Sequence, residues 1–262
     1  MGIPLGLIGC VGAGVAFAMD LRAQNNSVLD PGMSPCSINA QVEPYPTLRE
    51  ADVMWSKRAW RTIDISQSTN RILNGQGSDG CMDLLDVIRH GLLDEGSITA
   101  YDPGSLEHDD AFTKPFSRNA IAALLKPQDP STIPVVTRYM IKEDWIFDKQ
   151  RSVMEVRIIG LAPMAEVRGD DGELRGYSIL CWLYYPECRM LFSRWAAEQL
   201  PEGRSVSFEE IFAKRKFTST VTKASNVQDR SINTYKAGLD ALLEGEGVRE
   251  QLDILGFDLW AY

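Results

Sequence analysis

The sequence predicts a single α+β domain with a central antiparallel sheet flanked by helices and preceded by an extended proline-rich arm. Three observations point there. The stretch from Ile141 to Cys188 reads as two long strands folded back on the turn Arg168–Glu173, where Asp171-Gly172 is a hairpin dipeptide and Gly169 and Gly172 can take positive φ. Helical and strand-like segments are interspersed through the rest of the chain, as in a domain built round one antiparallel sheet. Residues 24–46 carry Pro31, Pro35, Pro44 and Pro46 among Asn, Ser and Gln, and prolines break both ladders and helices.

In the central hairpin, Met154, Val156, Ile158, Gly160 and Ala162 fall on one face of the first arm, and Val153, Glu155, Arg157, Ile159 and Leu161 on the other. Tyr177, Ile179, Cys181 and Leu183 alternate with Ser178, Leu180, Trp182 and Tyr184 on the second. Apolar groups on both faces predict strands covered on each side or packed at an assembly interface.

The chain order divides into residues 1–23, 24–46 and 47–262. Residues 3–18 are uncharged and apolar and end in Ala16-Phe17-Ala18, which fits a signal peptide cleaved after Ala18 or Ala23, although no Lys or Arg precedes the run. A membrane span needs about 20 apolar residues, more than this glycine-broken run supplies. Leu7-Ile8-Gly9-Cys10 has the look of a lipidation box but stands at the start of the run instead of its end. The arm at 24–46 is either a leader or a strap along a neighbouring subunit. Thr47, with Glu50 three residues on, predicts a capped helix to about Ile65 with Leu48, Ala51, Trp55, Ala59 and Thr62 on one stripe.

Residues 66–80 predict a loop. Its Gly75-x-Gly77-x-x-Gly80 lacks the strand that a dinucleotide fingerprint requires. Then follow a helix at 81–94, a strand at 97–101, a helix at 119–125 capped by Ser117 and ended by Pro127 and Pro130, and a strand from Val135 into the central hairpin. Beyond it lie a turn at Pro201-Glu202-Gly203, a helix opened by Ser207 and Glu210 that ends near Lys216, and a strand at 217–222. A last helix, capped by Asp229 or Ser231, is predicted to stop at Glu244, break at Gly245-Glu246-Gly247 and resume over 248–255.

Composition narrows function. The 262 residues carry a net charge of −9 with 44% apolar content, a globular composition without the basic surface that nucleic acid or anionic lipid requires. Lys214-Arg215-Lys216 reads as a solvated helix end. Five cysteines (Cys10, Cys36, Cys81, Cys181, Cys188) form no C-x-x-C pair, and only His90 and His108 could assist as imidazoles, so no metal site and no cofactor is expected. Cys181 and Cys188 either form a disulfide, if Tyr185-Pro186 bends the chain sharply, or are buried thiols. Glu107-His108-Asp109-Asp110 reads as a solvated acidic loop. No G-x-S-x-G, P-loop or H-E-x-x-H occurs, and the carboxylates Glu143, Asp144, Asp148 and Glu155 lie among Lys142, Lys149 and Arg151, as ion-paired groups do. Catalysis is not expected. Trp55 and Arg58 are residue types enriched at interfaces, with core packing of the tryptophan as the other reading.

Six segments carry a family resemblance: READVMWSKRAWRTID (49–64), IKEDWIFDKQRSVMEVRIIGLAP (141–163), YPECR (185–189), FAKRKFTS (212–219), SNVQDRSINTYKAGLDALLE (225–244) and FDLW (257–260). In this order they resemble the GldN/PorN family of gliding motility and type IX secretion. The resemblance implies a non-enzymatic periplasmic subunit that self-associates in a ring under the outer membrane. It implies assembly with a GldK/PorK-like lipoprotein and contact with the periplasmic part of a GldM/PorM-like protein. On that reading Trp55, Arg58, Trp145, Phe147 and the arm are the candidate partner contacts. The alternative is an exported small-molecule binding protein without catalytic activity.

Overall fold

The computed structural model describes Gly2 and residues 36–38, 41–75, 81–104, 109–126, 133–200 and 204–258, the last four without their side chains. The predicted signal peptide, the arm before Cys36, Gly77 and Gly80, Glu107-His108, Pro127 and Pro130, the turn at 201–203 and Trp260 lie outside the described residues. Nine strands and five α-helices occur among those described: β1 (Val53–Asp64), α1 (Leu84–Arg89), β2 (Ala100–Tyr101), α2 (Arg118–Leu125), β3 (Val136–Asp148), β4 (Val153–Arg168), β5 (Leu174–Ile179), β6 (Trp182–Tyr184), α3 (Tyr185–Ser193), β7 (Ala196–Gln199), β8 (Ser205–Ser207), α4 (Phe208–Ala213), β9 (Thr220–Ala224) and α5 (Gly238–Asp258). The main sheet is antiparallel throughout, in the order β2-β6-β4-β3-β1-β9, with β5 paired to β4 beside β6. The α+β expectation, a central antiparallel sheet flanked by helices, holds.

The helix predicted over 47–65 is instead a three-residue 3-10 turn, Glu50–Asp52, followed by the strand β1. Tertiary pairing decides this: β1 lies antiparallel to β3 from Val53↔Asp148 to Asp64↔Arg138, flanked on its other side by β9. Charged residues match across the ladder. Arg58 stands opposite Asp144 and donates to it twice, Nε at 2.6 Å and Nη2 at 2.8 Å. Trp55 and Ala59 of the helical stripe also fall, with Ile63 beside it, on one period-two face, the first half-buried and the other two fully buried.

The central stretch holds two hairpins where one was predicted. β3 turns into β4 through residues 149–152, with Ser152 at φ 52° and the Asp148 carboxylate accepting from the Gln150 and Arg151 amides at 2.8 and 3.2 Å. The predicted turn between Arg168 and Glu173 is present, with Gly172 at φ 79°. The second arm ends at Ile179, and the chain is helical from Tyr185, with Pro186 in the first turn, where the strand was expected to reach Cys188. Cys181 and Cys188 are two buried free thiols, and no bridge joins them. The disulfide in the structure joins Cys36 to Cys81, with Cα atoms 5.4 Å apart.

Ser117 and Ser207 cap their helices as expected, accepting from the Ala120 and Glu210 amides. The short strands are offset from prediction, β2 covering only the end of 97–101 and β9 starting three residues after Phe217. The expected break in the last helix is absent. α5 runs unbroken through Gly245 and Gly247, and a Cβ at Gly245 would lie 2.4 Å from the Val221 carbonyl oxygen. The glycine lets the helix press against β9 instead of ending there.

One sheet face carries the main core. Ile63, Tyr139, Ile141, Ile158 and Leu161 pack with α1, α3 and α4, where Tyr185, Phe192, Phe208 and Phe212 form an aromatic cluster. Farther along, Trp55, Ala59 and Trp145 pack under Val248 and Leu252 of α5. The opposite face presents Trp60, Met140, Ala162, Met164, Ile179 and Trp182. The described part of the arm, 36–38 and 41–46, lies on its own body: Ser37 bridges Trp195, Arg189 donates to the Glu43 carbonyl at 2.6 Å, Arg157 donates to the Pro46 carbonyl at 2.6 Å, and Tyr45 stacks with both guanidinium groups.

Candidate interaction surface

The second face of the sheet is a groove of about 920 Å³ crossing β1, β3, β4, β5 and β9, with Trp60, Met140, Met164, Tyr177, Ile179 and Trp182 in its lining. Strand alternation builds it. Trp60 and Thr62 point away from the core that Ala59 and Ile63 enter, and Met140 does so on β3 between Tyr139 and Ile141. Part of this face is roofed by the segment 109–113. Asp110 accepts from the Trp60 indole at 2.7 Å and pairs with Lys142 at 3.1 Å, while Lys142 also donates to the Asp110 carbonyl at 2.7 Å. Thus anchored, the segment holds Phe112 at φ 56° edge-on to Tyr101, Trp182 and Tyr184. Gly160 makes room for it, since a Cβ there would stand 2.9 Å from the Phe112 ring.

Cations line the rim, stacked on aromatic rings. The Arg138 guanidinium lies 3.9 Å from the Tyr177 ring centre and pairs with Asp64 at 2.9 Å. Lys223 stands 4.4 Å over Trp60 and pairs with Asp229 at 2.7 Å. Burial pushes the Lys142 ammonium below its ordinary value, and Asp110 opposes the shift. Burial pushes the Asp64 carboxyl up, but Ser66 and Arg138 bonds outweigh it and hold the group below the usual range. On the floor, Trp182 is 1% exposed and its indole N–H has no hydrogen-bond partner among the described residues.

The structure brings Trp55, Arg58, Trp145 and Phe147 together on the β1–β3 ladder, with Trp55 opposite Phe147. They do not share one exposure. Trp55 and Arg58 are half-exposed, while Trp145 and Phe147 are buried, and the Trp145 indole donates to Glu143 at 2.9 Å. A shallow crevice between β1 and α5, lined by Trp55, Lys57, Gln251, Leu252 and Ile254, opens at Trp55, while Arg58 stands on the other face of the ladder. Trp60, Tyr177 and Trp182 of the larger groove were not singled out as candidates. Trp60 stood off the assumed helical stripe, and a strand period over 55–63 would have found it.

The carboxylates around the central strand are held in ion pairs. Asp148 pairs with Arg151, Glu155 with Arg151 and Arg157, and fully buried Glu143 accepts from Arg215 at 2.8 Å. Lys142, expected beside these carboxylates, reaches across to Asp110 instead. His90 lies between Asp94 and Glu95, edge-on to Trp195. Burial pushes the Cys181 thiol up to about 12 and Cys188 well above its ordinary value, which suppresses thiolate chemistry at both. Among the described residues no group of three His, Cys, Asp or Glu could hold a metal ion, and no helix is long and apolar enough to cross a membrane.

A family model described as "Gliding motility associated protein GldN" matches residues 48–261. Among curated proteins none matches the chain.

Proposed function

Because the chain belongs to the GldN family of gliding-motility-associated proteins, we propose that it is a non-enzymatic periplasmic subunit of the gliding and type IX secretion machinery. In this reading it assembles with a GldK/PorK-like lipoprotein into a ring beneath the outer membrane and meets the periplasmic part of a GldM/PorM-like protein. The match over 48–261 carries the reading, since it covers most of the chain. The Cys36–Cys81 disulfide supports an exported location, because such bonds form and persist in oxidising compartments. The ion-paired carboxylates and buried thiols support a role in assembly over one in turnover. Trp55, half-exposed in the α5 crevice, and Arg58, half-exposed on the other face of β1, are the proposed contacts for the lipoprotein, with Trp145 and Phe147 buried on the Trp55 side.

Deleting the protein from its host tests this. The expected result is loss of surface export and gliding, and a lipoprotein partner that no longer sediments as a large complex. Normal export with that complex intact would overturn the reading. One observation favours a second reading, an exported small-molecule binder: the aromatic groove with the unpartnered Trp182 indole on its floor. Saturable binding of a small molecule by the isolated monomer, lost when Gly176→Trp fills the groove, would favour it.

A further inference from the structure

The disulfide joins two sulfurs in unlike surroundings. Cys36 is 1% exposed, with the Gln199 side-chain amide 3.7 Å from its sulfur, whereas Cys81 is only half-buried, just ahead of α1. Backbone bonds seat Cys36 without help from the bridge. Its carbonyl accepts from the Ala196 amide at 2.9 Å, and the Ile38 amide donates to the Arg194 carbonyl at 2.8 Å. Farther along the arm, Arg189 and Arg157 hold the Glu43 and Pro46 carbonyls. Cys81 belongs to the body, with its carbonyl beside Gly75 and with Asp83, two residues on, capping α1.

Thiol–disulfide exchange is the attack of a thiolate on a sulfur, so access selects the atom. We propose that Cys81 is the site at which this chain exchanges with a disulfide donor, and that Cys36 is the enclosed partner that closes the bond. The Cys81 thiolate attacks the donor and displaces one of its thiolates, leaving a mixed disulfide on Cys81. The Cys36 thiolate then attacks the Cys81 sulfur and displaces the second. The protons given up by the two cysteines pass through solvent to the two thiolates released. The chain loses two electrons, and one donor disulfide is reduced to two thiols. The seated arm makes the closing step intramolecular, between residues whose Cα atoms stand 5.4 Å apart in the bonded form. Cys181 and Cys188, both buried, do not compete. Reduction follows the same path backwards, with attack at Cys81 and with Cys36 displaced but still beside it. The chemistry belongs to the single chain and does not depend on the assembly proposed above.

Hydroxyethyl disulfide, a small uncharged donor, tests this on the full chain, with peptide mass mapping to separate each adduct from any at Cys10. Folded Cys36→Ser should gain its adduct at Cys81 roughly tenfold or more faster than folded Cys81→Ser gains one at Cys36, since an enclosed thiol reacts only through local opening. In denaturing urea the two should react alike. A folded Cys81→Ser that reacts as fast as Cys36→Ser or faster, or a preference that persists undiminished in urea, overturns the proposal. If either variant misfolds, a brief maleimide pulse on the wild type after phosphine reduction decides. Cys81 should label before Cys36. Equal or earlier labelling of Cys36 overturns the proposal, and so does a reduced wild type that loses its fold, because the arm then cannot seat Cys36.

Discussion

Asp64 closes β1 with three partners, and they decide how its charge affects stability. Its carboxylate accepts from the Ser66 amide and from the Arg138 guanidinium, each at 3.0 Å, and from the Ser66 hydroxyl. These bonds outweigh burial and hold the group below its ordinary value, and Arg157 and Arg151 do the same for Glu155. A carboxyl depressed in the folded state contributes stability that is present above its unfolded value and is lost as pH falls through the folded one. Unfolding free energy is therefore expected to decline as pH drops below about 4, the ordinary carboxylate range. Asp64→Asn should flatten that acid limb relative to the wild type in urea titrations, while lowering stability at neutral pH. An identical acid limb in the variant would remove Asp64 as a contributor. Such ion pairs were legible in the sequence as a class, since acids and bases interleave over 142–157, but their partners were not. Glu143 finds Arg215 from a distant loop, and Lys142 finds Asp110, because strand alternation sends neighbours to opposite faces.

At the scale of elements, α5 shows how one residue can carry two opposite local readings. Gly245-Glu246-Gly247 has the composition of a helix break, and isolated glycine costs a helix roughly 1 kcal/mol against alanine. Contact with β9 reverses the sign, since the backbone at Gly245 touches the Val221 carbonyl. Gly245→Val is expected to lift α5 from β9 and uncover Trp55 and Trp145, shifting tryptophan emission to the red and costing about 1–3 kcal/mol in urea unfolding, the range for overpacking a tight contact. Gly247→Ala, at a position with nothing within 4 Å, should leave both measurements unchanged or gain slightly. Equal effects at the two glycines would refute the contact as the cause. The same contrast explains which elements could be read in advance. The turn before Leu174 announces itself through Asp171-Gly172, whereas the turn at 149–152 contains no glycine and relies on Asp148 and on Ser152 in the left-handed region. β1 looks helical in sequence because Trp55, Ala59 and Thr62 satisfy a helical stripe while its β3 partners, from Asp148 back to Arg138, lie far along the chain, where no local window can weigh them.

For the whole molecule the decisive long-range link is the bridge from Cys36 to Cys81, which no spacing rule isolates from five scattered cysteines. It fastens the proline-rich arm to the body just before α1, and Ser37, Glu43, Tyr45 and Pro46 then follow a fixed path over Trp195, Arg189 and Arg157. Arg189 belongs to a buried group in which Glu209 accepts from the Arg189 Nε and the Tyr185 hydroxyl, each at 2.7 Å, so the arm is tied to the main core. Closing a 45-residue loop restricts the unfolded chain. By the loop-entropy estimate that restriction contributes about 4 kcal/mol. Cys36→Ser is accordingly expected to lower stability by a few kcal/mol and to open residues 41–46 to limited proteolysis. Thiol labelling of the denatured wild type supplies the compartment test. Chain made in an oxidising compartment should label at Cys181 and Cys188 but not at Cys36 or Cys81, and chain held in a reducing cytosol should label at Cys36 and Cys81 as well and unfold at lower urea. If Cys36 and Cys81 label freely in chain recovered from the envelope, the arm is held by its arginine contacts alone, and the disulfide no longer supports an exported location.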